Sequence, residues 1–168
     1  MEQIVQKPPL PIKTKIAAWW MIVIGGIIIT LSLFIATKEP PSYSEASALF
    51  VMFITLLPAG LMFFLPSLSL LKRKKWGWWL SIVILSLTLF SISAGLLIDF
   101  IFEYRPPAFL DLLRFISAMF LLPWMIVIPE KLVLSPIANL LLYFGFLIYI
   151  IPLILLLLDR KNFWKIAT

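Results

Sequence analysis

The residues best placed to do chemistry are Asp99, Glu103, Arg105, Asp111 and Arg114, with Asn139 further along the chain. Asp99 and Glu103 stand one helical turn apart, so their carboxylates would share a face. With the guanidinium groups that follow, they would suit a cation or a charged substrate at a membrane surface. The simpler reading of the same pattern is mutual ion pairing, which settles a polar segment on the helix ends. Asn139 either joins this outer polar cluster or hydrogen-bonds to a neighbouring helix.

What is missing narrows the chemistry further. The chain has no histidine and no cysteine. It therefore lacks an imidazole base or metal ligand, a thiolate nucleophile and any sulfur ligation of iron. Serine is plentiful, but no histidine or embedded lysine is placed to activate it. There is no phosphate-cradling glycine loop, and Gly25-Gly26 is too little to make one. No catalytic, cofactor-binding or metal-ligating residue is expected, and the chain reads as non-enzymatic.

These polar residues interrupt an unusually apolar chain. Of 168 residues, 62% are hydrophobic and 13% are charged, with a mean hydropathy of +1.08. Soluble domains hold about 45–50% apolar residues, so bilayer and not water is the expected solvent. The expectation is all-α: a polytopic transmembrane helical bundle forming one integral membrane domain over residues 1–168, with four spanning helices at about 16–37, 46–71, 78–102 and 136–158. Each apolar run is long enough for about 30 Å of hydrocarbon at about 1.5 Å per residue. The first run is about twice the length of a signal-peptide core and lacks a small-x-small cleavage pattern, which reads as an uncleaved span.

Local signals agree with these spans. Pro40 and Pro41 end the first, and Ser42 with Glu45 forms a capping-box pattern before the second. Pro58 and Pro66 predict kinks in the second span and Pro152 in the last, while Ala59 and Gly60 allow a close helix contact. Ser91 and Gly95 give the third span a small-x-x-x-small packing face. Ser135 and Pro136 open the last one. Between the third and fourth spans, residues 107–129 are apolar yet carry Asp111, Arg114 and Pro123, and the polar positions fall on one narrow face. This stretch reads as an interfacial or re-entrant helix, with a fifth span as the alternative.

Charge supplies an orientation. Lys7, Lys13, Lys15, Lys72, Arg73, Lys74, Lys75, Arg160, Lys161 and Lys165 all fall on one side of a four-span chain, whereas most of the acids fall on the other. The positive-inside rule then puts both termini in the cytoplasm. Trp19, Trp20, Trp76, Trp78, Trp79 and Trp164 stand beside the same basic clusters, where an indole prefers the headgroup layer. The net charge of +6 points to anionic lipid headgroups on that side as the partner, and not to nucleic acid.

The helix exits also look alike: Pro66, Arg73-Lys74 and Trp76 are echoed by Pro152, Arg160-Lys161 and Trp164. Topological dressing of helix ends explains this as well as a duplication would. Four spans with a basic tail are shared by many small prokaryotic membrane proteins, and a prokaryotic cell membrane is the expected location. The reading is a membrane subunit or accessory protein that packs on itself or on another membrane protein; a small oligomeric transporter or channel is the alternative. The sequence names no ligand, partner or oligomeric state.

Overall fold

The computed structural model describes residues 9–37, 43–101 and 136–167, with side chains at all of these except 43–49, 51, 52, 96, 98–101 and 136–144. The described residues form five helices and no strand: α1 (Ile12–Ala36), α2 (Tyr43–Leu71), α3 (Lys75–Ile101), α4 (Pro136–Leu158) and α5 (Arg160–Ile166). Three stretches are long and apolar enough to cross a membrane, namely Ile12–Ala36, Phe53–Leu71 and Lys75–Gly95. The 23-residue α4 is apolar over Gly145–Leu158, the part whose side chains are described. The expected segment at 107–129, the caps at Ser42 and Ser135, and Glu103, Arg105, Asp111 and Arg114 lie outside the described residues. Asp99 is on α3 and Asn139 on α4, at positions whose side chains are not described.

Helices α1, α2 and α3 begin before the apolar runs at 16, 46 and 78. An apolar window marks the hydrocarbon layer, whereas the backbone gains by continuing its hydrogen bonds into the more polar layer beyond it. Lys13, Lys15 and Lys75 therefore sit on helices. The short α5 was not expected from the sequence, because seven residues with three basic side chains give no apolar window.

Each helix packs against its neighbour in the chain, and α4 returns to α1 to close the ring. The inner face of α1 repeats at helical spacing through Ala17, Met21, Ile24, Ile28 and Ile35. Leu56, Phe63 and Leu70 of α2, Leu85 and Ile92 of α3, and Tyr149 and Leu156 of α4 complete the core. Across its middle, the rings of Phe63 and Tyr149 stack at 5.5 Å with a 34° tilt.

Helices α1 and α2 approach closely at paired glycines. A Cβ on Gly25 would lie 2.8 Å from the Gly60 carbonyl oxygen and 2.9 Å from the Phe64 nitrogen. A Cβ on Gly60 would lie 2.7 Å from Cγ1 of Ile29 and 3.0 Å from the Gly25 carbonyl oxygen. The contact expected at Ala59-Gly60 is thus a glycine-on-glycine crossing, which lets the backbones themselves touch. Further along the same seam, Ser32 donates to the Phe53 carbonyl at 3.4 Å.

Helix α2 ends in a Schellman turn. Arg73 takes a left-handed conformation with φ 60; its N–H bonds the Leu70 carbonyl, and the Lys74 N–H reaches back to that of Ser69, both at 2.9 Å. Gly77 then allows α3 to start directly against α2, since a Cβ there would meet Cβ of Ser69 at 2.6 Å. The α2–α3 connection is therefore only Lys72, Arg73 and Lys74 long.

Candidate functional site

These contacts gather the basic residues at one end of the bundle. The start of α1, the end of α2, the start of α3 and the α4–α5 junction all meet there. Lys13, Lys15, Lys72, Lys74, Lys75, Arg160, Lys161 and Lys165 are exposed around it, and Arg73 is half-buried. Lysine stems can lie along apolar surface while their ammonium groups stay in a polar layer.

The tryptophans expected beside these charges divide into two kinds. Trp19, Trp20, Trp76, Trp79 and Trp164 are exposed, whereas Trp78 is only 1% exposed. Trp78 is instead the inner member of a three-indole cluster. It lies edge-on to Trp79 at 5.2 Å and to Trp164 at 6.0 Å. Trp79 and Trp164 are 6.3 Å apart at 77°. Such edge-to-face geometry sets the positive ring edge of one indole against the negative face of the next. The ammonium of Lys75 lies 5.8 Å from the Trp164 ring centroid, a cation–π distance. One side of α5 is thereby bound to the start of α3, with Phe163 fully buried beneath.

The other side of the junction is bound to α1 by Asp159, a residue absent from the expected set. Pro11 occupies the N-cap position of α1 and offers no side-chain cap. Asp159, 3% exposed, does so from the far end of the chain: its Oδ2 accepts from the backbone N–H and from the hydroxyl of Thr14, each at 2.9 Å. Its Oδ1 accepts from the Asn162 amide at 3.1 Å. A carboxylate on the orphan N–H groups of a helix start also meets the positive end of the helix dipole. The signal in the sequence was one of contrast, since Asp159 is the lone acid among Arg160, Lys161 and Lys165 and stands where the similar exit of α2 has Lys72. Its partner could not be read, because the spacing of 145 residues exists only in the fold.

Trp20 makes a third tie. Its indole N–H donates to the Ile148 carbonyl of α4 at 3.1 Å. In a regular helix that carbonyl would accept from residue 152, but Pro152 has no N–H. The indole therefore fills the gap that the proline opens.

The chain matches no protein-family model, no curated protein and no solved structure. Chemically, the described end of the bundle offers cations, amphipathic rings and one carboxylate already engaged with three donors. Among the described residues no group of His, Cys, Asp or Glu could hold a metal ion.

Proposed function

We propose that the protein is a multi-pass membrane subunit without enzymatic activity, in which α1–α4 all cross the bilayer. The basic end faces the cytoplasm with both termini, in contact with anionic headgroups, and the membrane is that of a prokaryotic cell. The chain works as an accessory or interaction protein, packing on itself or on another membrane protein through small-residue faces and the segment at 107–129. The observation that carries this reading is how Asp159 is used: the buried carboxylate of the described interior serves as a helix cap and leaves no free base. Among the described residues, the polar groups joining the helices act as structural ties between them and have no reactive geometry.

Topology is checked by single cysteine probes, since the natural chain has none. Probes at Ser42, Pro107 and Glu130 are expected to label from outside and one at Lys165 from inside; outside labelling at Lys165 would overturn the four-span arrangement. Native mass spectrometry after mild extraction tests the subunit role, with a stoichiometric partner or self-association as the expected result.

One observation favours a second reading, a small oligomeric transporter or channel. The hydroxyls of Ser81 and Thr88 are buried on the inner face of α3 with no hydrogen-bond partner among the described residues, as in a polar path through an assembly. Solute flux into proteoliposomes, with loss in Thr88→Val, would support it over the first.

A further inference from the structure

An apolar groove of about 590 Å³ runs between α1 and α4, lined by Ile16, Trp19, Val23, Ile24, Ile27 and Ile148, with Lys15 at its end. We propose that this groove binds one anionic phospholipid, an acyl chain lying along α1 and the headgroup phosphate on Lys15. This rests on the membrane-embedded reading above and adds to it a specific lipid at a specific place.

Three observations converge on that occupant. The first is length: from Lys15 to Ile27 the groove follows α1 for about 18 Å at about 1.5 Å per residue. Half of an about 30 Å hydrocarbon core plus the start of the headgroup layer needs about that depth. The groove along the described residues thus matches one lipid in one leaflet. The second is the distribution of polarity. Apart from Lys15 at the end, the described side chains facing the groove are aliphatic or indole, so an ammonium meets the headgroup level and an apolar wall meets the chain. The third is the state of the backbone carbonyl of Ile148, a lining residue. The Ile148 carbonyl, which Pro152 leaves without its helical donor, already accepts from Trp20. An unpaired carbonyl would repel an acyl chain, and the indole removes that obstacle.

Trp19 is exposed on this wall and serves as the reporter. The full-length chain is reconstituted into phosphatidylcholine bilayers containing a minor fraction of either brominated phosphatidylglycerol or brominated phosphatidylcholine. The Trp19 share of the quenching is then taken as the difference between the natural chain and Trp19→Phe. The expected result is an apparent affinity about fivefold higher for the anionic lipid, the effect of one basic residue at an anionic surface. Lys15→Gln should abolish the preference and Lys15→Arg should keep it.

Equal quenching by the two lipids would overturn the proposal, as would a preference that survives Lys15→Gln. A Trp19 quenched by neither lipid, accompanied by a dimer mass, would give the groove to a second copy and also overturn it. If Trp76 and Trp79 are quenched normally in those cases, the membrane reading stands and only the lipid site falls. If no tryptophan is quenched by any brominated lipid, both fall.

Discussion

The Asp159 carboxyl group sits in a nearly closed setting among three donors: the N–H and the hydroxyl of Thr14 and the amide of Asn162. Removing the carboxylate would orphan all three, whereas removing the Thr14 hydroxyl would leave the backbone N–H still bonded. Asp159→Ala is therefore expected to cost about 2 kcal/mol of stability and Thr14→Val about 1 kcal/mol or less. Thermal unfolding in one detergent, with the double variant completing the cycle, checks this. The two effects should fail to add, because they share a partner. The lysines around this residue were legible from the sequence, since a charge beside an apolar run has few places to go. The acid was not, because its role depends on which helix start the fold delivers to it.

At the scale of the helix, two contacts decide how α1 is held. On the α2 side, Gly25 and Gly60 have no room for a methyl group, and at Gly25 the two nearest obstacles are backbone atoms that cannot rotate away. Gly26, the next residue, has nothing within 4 Å of its would-be Cβ. Gly25→Ala is expected to cost about 1–3 kcal/mol by overpacking, and Gly26→Ala to be neutral or slightly stabilising; equal melting shifts for the two would refute a backbone crossing at Gly25. On the α4 side, Trp20 substitutes for the donor that Pro152 lacks. Trp20→Phe should cost about 1 kcal/mol in the natural chain and much less in a Pro152→Ala background, where the backbone N–H of residue 152 is restored. Melting measurements on this double-mutant cycle separate the hydrogen bond from the packing of the indole. Helices α1–α4 were legible as apolar runs, whereas α5 was not, and Ala59-Gly60 was legible as a close contact. The choice of Gly25 over Gly26 as its partner was not, because two adjacent glycines differ only in the face they present. Nor was the tie from Trp20 to the proline gap, which requires knowing that α1 and α4 are neighbours.

For the whole molecule, the last residues of the chain act on two properties that can be separated. Their charges, Arg160, Lys161 and Lys165, would hold the end of the chain in the cytoplasm. Their packing groups, Asp159, Phe163 and Trp164, close the bundle by capping α1, filling the core and docking on Trp78 and Trp79. A triple variant Asp159→Ala, Phe163→Ala, Trp164→Ala keeps every basic residue. It should retain its orientation, read by labelling of a cysteine at Thr168, while losing several kcal/mol of stability and melting at markedly lower temperature. The converse triple variant, Arg160→Gln, Lys161→Gln, Lys165→Gln, touches none of those packing groups. It should melt close to the natural chain, since exposed charges contribute little to stability, but show cysteines labelled from both sides of the membrane. If neutralising the charges lowered the melting temperature as much as removing the packing groups, the division would be wrong. The basic end would then be held together by electrostatics, and the tryptophan cluster would be a consequence of that end and not its cause.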